Sequence, residues 1–177
     1  TVSNIESRDP AKVRAGNERV VRPRLSDAEF FFLQDRRSPL AARLAGLETV
    51  TFQAKLGSVG DKTRRITALS GTIASIIGSD VSQARRSAEL AKCDLISSMV
   101  GEFPELQGQV GRQLYALEKG ANPSIAAAIE DHYRPLGPND RVPEDKVAVT
   151  LALADKLDTL AGFWAIDEKP TGSSDPY

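Results

Sequence analysis

Residues 143–165 read PEDKVAVTLALADKLDTLAGFWA, and this stretch decides the fold class. Its apolar side chains recur at steps of three and four residues, which is the spacing of one face of an α-helix. Pro143 suits the first helical position, where a backbone N–H would have no partner in any case. We therefore predict that Pro143 begins the strongest helix of the chain. The apolar positions of this helix are Val147, Leu151, Leu153, Leu157, Leu160 and Trp164.

The sequence before this helix is also mostly helical in pattern. Ser26 and Glu29 have the spacing of a capping box that opens a helix, and Gly78 is placed as a C-terminal glycine. The predicted helices cover residues 26–37, 40–47, 61–77, 80–100, 104–119 and 125–132. Residues 48–55, ETVTFQAK, are β-prone. The predicted fold class is therefore all-α, a helical bundle with at most this one small extended element.

The first part of the chain shows a different composition. Residues 1–24 are rich in Arg, Asn, Pro and Gly and show little periodicity, which predicts an irregular lead-in or linker before a helical domain at residues 25–177. The chain has no initiator Met, and its one Met is Met99, so we expect it to be a piece of a longer protein. No stretch approaches the roughly 18 consecutive apolar residues of a membrane span, so none is expected.

Charge is unevenly distributed along the chain. Residues up to Lys92 hold 16 Lys and Arg against 10 Asp and Glu, whereas residues from Cys93 onward hold 7 against 14. Such asymmetry suggests one face for a polyanion and another for solvent or a protein partner. Ordinary scatter along a folded chain explains it equally well, because halves of a sequence need not be halves of a structure.

Few residues in the chain can carry chemistry. His132 is the one His and Cys93 the one Cys, which is too few for a Cys/His zinc site and excludes an internal disulfide. The sequence Glu130-Asp131-His132-Tyr133 lies at a predicted helix end, where a His more often interacts with the last carbonyl groups. No Walker-type glycine loop is present. We therefore predict no catalytic residue.

Two carboxylates lie within apolar helical stretches, Asp94 in LAKCDLI and Asp155 in LALADKL. A carboxylate in such surroundings is costly unless it is paired or ligated. We favour pairing of Asp94 or Asp155 with Lys92, Lys156 or an Arg over metal binding, because hard-metal sites need more than two oxygen ligands.

Several blocks of this sequence, in order, resemble the β subunit of the bacterial two-subunit glycyl-tRNA synthetase. The blocks include RPRLSDA at residues 22–28, KCDL at 92–95, EFPELQG at 102–108 and ALADKLDTL at 152–160. In that family this region is similar to the HD fold, whose enzymatic members are metal-dependent phosphohydrolases with a His, a His-Asp pair and a later Asp. The corresponding positions here are Lys62, Cys93, Asp94 and Asp155.

Both His positions of the HD site are therefore lost, and the resemblance implies a vestigial site without metal or hydrolase activity. The alternative is an active HD-type metal-dependent phosphohydrolase. The resemblance implies a noncatalytic module that contributes to tRNA binding and subunit assembly in ATP-dependent glycyl-tRNA formation in the cytoplasm. Its implied partners are tRNA(Gly), the α subunit and the remaining domains of the β subunit. ATP and magnesium are expected to be used by the α subunit, and no cofactor is expected here.

Basic residues concentrate in three places, and RNA phosphates are bound through such side chains. The candidate nucleic-acid-binding residues are Arg19, Arg22, Arg24, Lys62, Arg64, Arg65, Arg85 and Arg86. The alternative is that these side chains solvate helices or pair with nearby acids. The run Phe30-Phe31-Phe32 cannot direct all three rings to one core. It indicates either a contact with another domain or subunit, or a helix packed on both sides.

Overall fold

The computed structural model describes residues 9–168, and it confirms the helical fold class. The α-helices of this part of the chain are α1 Pro10–Asp35, α2 Val59–Ile77, α3 Val81–Leu90, α4 Ser98–Glu102, α5 Gln109–Ala116, α6 Pro123–Asp131 and α7 Lys146–Ala165. Short 3-10 helices cover Leu40–Thr49, Cys93–Ile96 and Pro104–Leu106. The small extended element is an antiparallel pair of strands, β1 Thr51–Gln53 and β2 Gly57–Ser58. The HD-like detail of the predicted fold stays a prediction.

Helix α2 lies at the centre of the bundle and packs against α3 and α7. Ile66 of α2 and Leu151 of α7 are fully buried in one core cluster, which α3 and α6 complete. A second cluster forms between the 3-10 helix Leu40–Thr49, α5 and α6, where Leu47 and Ile129 are fully buried. The predicted apolar positions of α2 are buried or half-buried, which builds the centre of the bundle. Of the positions predicted for α7 only Val147 and Leu151 are buried, whereas the four from Leu153 onward are exposed. Helix α7 also begins at Lys146, capped by Asp145, rather than at Pro143.

Helix α2 begins with a capping box that joins it to β2. The Ser58 hydroxyl accepts a hydrogen bond from the Asp61 N–H at 3.0 Å, and the Asp61 carboxylate accepts one from the Ser58 N–H at 2.9 Å. The predicted start of this helix at residue 61 is two residues late, because Asp61 is the third helical residue and the helix begins at Val59. Gly78 ends the helix with φ of 66°, as its position predicts.

Two predicted helices are interrupted. The predicted helix 80–100 is wrong beyond Leu90, because Ser97 caps a separate helix by accepting a hydrogen bond from the Val100 N–H at 3.1 Å. The predicted helix 104–119 is wrong before Gln109, because Gly108 has φ of 81° and its N–H donates to Asp94. Side-chain bonds to the backbone compete with helix continuation at both places.

The prediction of an irregular lead-in is wrong for residues 10–24. Asp9 caps α1 by accepting a hydrogen bond from the Lys12 N–H at 3.2 Å, and the helix continues through Pro23 to Asp35. Ser26 therefore lies inside a helix. Residues 10–27 are exposed, so this segment is helical without a buried face. Residues 1–8 lie outside the described residues, and the division at 24/25 stays a prediction.

The aromatic run on α1 is divided between core and solvent. Phe32 is half-buried against the cluster that contains Leu40 and Leu47, and Phe31 is also half-buried. Phe30 is 57% exposed. Within the described residues, none of the helices is both long and apolar enough to cross a membrane.

Candidate functional site

A cluster of charged side chains is buried where α2, α7, the end of α6 and the α3–α4 connection meet. Asp155 of α7 lies at its centre, between two ammonium groups. Its Oδ1 is 3.0 Å from the Lys62 Nζ, and its Oδ2 accepts a hydrogen bond from the Lys92 Nζ at 3.2 Å. The side chains of both lysines are at most 7% exposed. One carboxylate therefore serves as the counterion of two buried cations.

Lys62 has every one of its ammonium donors within reach of an oxygen. Besides Asp155, its Nζ donates to Asp158 at 3.2 Å and to the Thr159 hydroxyl at 2.7 Å. Asp155, Asp158 and Thr159 lie within about one turn of α7 and so present their oxygens on one side of the helix. The Phe52 ring covers the same ammonium, with its centroid 4.6 Å from Nζ. Lys62 is thus committed to the interior.

Lys92 bonds to a neutral imidazole as well as to Asp155. The His132 Nδ1 lies 2.8 Å from the Ile129 carbonyl and donates to it, so its Nε2 accepts from the Lys92 Nζ at 2.7 Å. Burial lowers the pKa of His132 to about 3, and the neighbouring Lys92 charge acts in the same direction. His132 is therefore a neutral hydrogen-bond acceptor at physiological pH, rather than a titrating acid or base.

The charges within the cluster oppose one another in sign and shift one another's pKa values. Burial lowers the pKa of Lys92, although Asp155 acts to raise it. Burial alone would raise the pKa of Asp155, but the charges of Lys92 and Lys62 hold it well below its usual range. Asp158 also accepts two hydrogen bonds from Arg65, at 2.7 and 3.2 Å. Asp155 is consequently ionised, and both carboxylates are paired with cationic side chains.

The four positions that were predicted to correspond to an HD metal site are not arranged to hold a metal ion. Lys62 and Asp155 meet as an ion pair, so an ammonium neutralises the carboxylate that would otherwise face a cation. The Cys93 thiol donates to the Glu89 carbonyl at 3.6 Å, and burial raises its pKa to about 12. Among residues 9–168, no group of three or more His, Cys, Asp or Glu side chains is arranged to hold a metal ion. These residues do not fit the metal of the HD enzymes.

Asp94 has a structural role near the cluster. Its Oδ2 accepts hydrogen bonds from the Gly108 N–H at 2.6 Å and the Gly111 N–H at 3.0 Å. A Cβ atom on Gly111 would lie 3.0 Å from this oxygen, so the carboxylate needs glycine there to approach the backbone. Pairing with Lys92, which we favoured for Asp94 or Asp155, is confirmed for Asp155, whereas Asp94 bonds to backbone amides. Lys156 instead donates to the His132 and Arg134 carbonyls.

Comparison with known proteins identifies the family to which this chain belongs. The sequence model of the family described as "Glycyl-tRNA synthetase beta subunit" matches residues 1–177. The chain belongs to this family. It is 55% identical over 181 residues to the "Glycine--tRNA ligase beta subunit" of Paracoccus denitrificans, covering 100% of the chain and 26% of the relative. It is 52% identical to the proteins of the same name from Acinetobacter baumannii and Methylobacillus flagellatus, covering 26% and 25% of them. The chain spans about a quarter of the length of these curated relatives.

In this member of the glycyl-tRNA synthetase β-subunit family, the candidate basic residues on α1 are exposed. Arg22 is 3.9 Å from Glu18, a weak surface pair, and Arg24 pairs with Glu102 and stacks 4.8 Å from the Phe103 ring centroid. Arg19 is exposed on the same helix. The interpretation of Lys62 as a nucleic-acid contact is wrong, because its ammonium is buried and fully bonded to α7.

The remaining basic candidates lie around α2 and α3. Arg64 pairs with Glu48 and Asp61, Arg65 pairs with Asp158, and Arg86 pairs with Glu89 at 3.0 Å. Arg85 is exposed and makes no ion pair with the described residues. The sequence separates Arg64 from Arg85, but the fold brings both to one groove.

This groove has a volume of about 620 Å³ and lies between α2, α3 and the 3-10 helix Leu40–Thr49. Its lining includes the small residues Gly60, Thr63, Thr67 and Ala68. Arg64 and Arg85 line it together with the carboxylates of Glu48 and Glu89. Sequence reasoning named both arginines but missed the groove. It also missed His132 as a partner of Lys92, because 40 residues separate the two in the chain and no local pattern links them.

Proposed function

We propose that this chain is a noncatalytic helical module of a glycyl-tRNA synthetase β subunit. In this proposal it contributes to tRNA binding and subunit assembly while the whole enzyme forms glycyl-tRNA in the cytoplasm. ATP and magnesium are used by the α subunit, and the partners are tRNA(Gly), the α subunit and the rest of the β subunit. The observation that carries the noncatalytic part is the Lys62 ammonium, 3.0 Å from Asp155 and 3.2 Å from Asp158. A cation of the protein itself therefore neutralises Asp155, one of the two carboxylates that a phosphohydrolase would use for metal, while the other, Asp94, is bonded to backbone amides.

Two surfaces support the RNA-binding part of the proposal. One is the exposed stretch of α1 that carries Arg19 and Arg22. The other is the groove between Arg64 and Arg85. Arg85 is the sharper candidate, because Arg64 already has two carboxylate partners while Arg85 makes no ion pair with the described residues. An exposed guanidinium without a carboxylate partner keeps its full charge and its planar donor groups for a phosphate.

The first experiment replaces Arg85 with Gln in the complete enzyme and measures glycylation at several salt concentrations. We expect the KM for tRNA to rise several-fold at low salt. The dependence of log KM on log salt should become shallower by about one unit, as loss of one phosphate contact predicts. Lys119→Gln is the matched control. Lys119 is also exposed, and its substitution removes the same charge from the acidic part of the chain.

An Arg85→Gln enzyme with the same KM for tRNA and the same salt dependence as Lys119→Gln would show that the groove is not part of the RNA-binding surface.

The noncatalytic part of the proposal has its own test. It measures the metal content of the purified chain and the hydrolysis of a generic phosphodiester with added manganese. Stoichiometric metal together with turnover would overturn it in favour of an HD-type phosphohydrolase.

A further inference from the structure

The C-terminal half of α7 exposes a continuous apolar face. Leu153 is 42% exposed, Leu157 47%, Leu160 53% and Trp164 49%. Their steps of four, three and four residues place these side chains in one stripe along the helix. Ala161 and Ala165 beside the stripe are also exposed. We refer to Leu153, Leu157, Leu160 and Trp164 as the α7 stripe.

The other side of α7 is already buried in this bundle. Val147, Leu151 and Ala154 pack into the core with α2 and α6. The inward side of α7 thus carries these apolar residues in its first half and the paired Asp155, Asp158 and Thr159 in its second half. The exposed stripe is a second apolar surface on the same helix, and a helix with apolar surfaces on two sides is normally covered on both. Isolated exposed apolar residues are common on protein surfaces, but a contiguous apolar stripe marks an interaction site.

The polar groups along the edges of the stripe already have partners. Lys156 donates to the carbonyls of His132 and Arg134, at 3.0 and 2.8 Å. Asp158 is bonded by Lys62 and Arg65. Among the described residues, neither of these two charges is left to attract a polyanion, so RNA is a poor occupant. A face without charged residues is instead typical of permanent interfaces, which are more apolar than transient ones.

We propose that the α7 stripe is the docking surface for an apolar segment from another part of the same β-subunit polypeptide. The chain spans about a quarter of its relatives, so most of a β subunit lies outside these 177 residues and can supply that segment. A segment in the same polypeptide is present at high effective concentration and needs no electrostatic steering to find the stripe. The inference rests on the part of the proposed function that makes the chain a module of a β subunit. It is independent of the RNA contact.

The test measures cysteine accessibility in the full-length β subunit without the α subunit. Leu157→Cys and Leu160→Cys are made separately, with Leu117→Cys as the control. Leu117 is 58% exposed and lies at the C-terminal end of α5, outside the α7 stripe. Maleimide labelling is followed for each peptide by mass spectrometry. We expect both stripe cysteines to react at least about tenfold more slowly than the control, as protection by a stable contact predicts. Buried Cys93 should stay unlabelled in each variant, which reports that the fold is retained.

Three results would overturn the proposal. Stripe cysteines that react as fast as Leu117→Cys under every condition would show that nothing covers the stripe. Protection that appears only when the α subunit is added would assign the stripe to that subunit. Protection that grows with β-subunit concentration would assign it to a second copy. No arm of this experiment contains tRNA, so its outcome does not depend on the RNA contact of Arg85.

Discussion

Replacing Asp155 with Asn should destabilise the chain strongly, because one carboxylate balances two buried ammonium groups. The substitution keeps the shape of the side chain and removes its charge. Lys62 would keep Asp158 and Thr159 as partners. Lys92 would keep the neutral His132 imidazole at 2.7 Å and the Tyr133 ring, whose centroid is 4.1 Å away, but no anionic partner among the described residues. The expected cost is therefore that of one broken buried ion pair at Lys92, not of two.

Removing one partner of a buried ion pair typically costs about 3–5 kcal/mol. Asp155 is 14% exposed and Lys92 is 7% exposed, so solvent screens their interaction little. A domain is stable by roughly 5–15 kcal/mol, so this loss would be a large fraction of the total. The midpoint of thermal unfolding should fall by roughly 2–4 °C for each kcal/mol lost.

The assay is urea unfolding of the wild-type chain and the Asp155→Asn variant at pH 7 and pH 10. Burial holds the folded-state pKa of Lys92 below its unfolded value. At a pH between these two pKa values, the unfolded chain therefore binds more protons than the folded chain. Stability consequently rises with pH in that window. Without Asp155 the folded pKa of Lys92 falls further, so we expect the difference between variant and wild type to narrow toward pH 10.

The control for this experiment is Asp27→Asn, since Asp27 is exposed on α1 and its loss should change stability by no more than about 0.5 kcal/mol. A loss of less than about 1 kcal/mol for Asp155→Asn would place its cost in the range of an exposed surface pair and refute the buried-counterion argument. A loss that is equal at both pH values would show that Lys92 is not the group left without a partner.

Two further predictions concern His132 and Gly111. The pKa of His132 is lowered to about 3, so the unfolded chain takes up its proton first and stability falls as pH drops from about 6.5 toward that value. His132→Gln should therefore flatten the loss of stability between pH 6.5 and 4 in urea titrations, and an unchanged slope would contradict this. A Cβ on Gly111 would lie 2.8 Å from the Ile129 side chain, so Gly111→Ala should cost about 1–3 kcal/mol. Gly16→Ala, where a Cβ meets nothing within 4 Å, should instead stabilise α1 by about 0.5–1 kcal/mol, and thermal melts of the two glycine variants measure both changes.

The elements that could be predicted from the sequence are those set by local signals. Helices α2 and α7 follow from the repeat of apolar residues, and Gly78 ends α2 as its type and position predict. The two helices that were wrongly predicted are interrupted partly by residues that are distant in the sequence. The Asp94 carboxylate bonds to amides 14 and 17 residues further along the chain, so no local pattern announces the break at Gly108. The length of α1 was missed because Arg, Asn and Pro were interpreted as loop-forming, although they lie in one continuous helix.

By itself, the sequence determined the helical class and the resemblance to the glycyl-tRNA synthetase β subunit, and it places Lys62 and Cys93 where that resemblance predicts the two His positions of an HD site. These properties depend on residue type, spacing and order, which can be read without coordinates. Only the tertiary structure decided that Lys92 joins His132 and Asp155, which lie 40 and 63 residues away. It also decided that Lys62 points inward and that the α7 stripe remains uncovered in this bundle. Helical periodicity states which residues share a face, but the packing of one helix on another determines which faces meet.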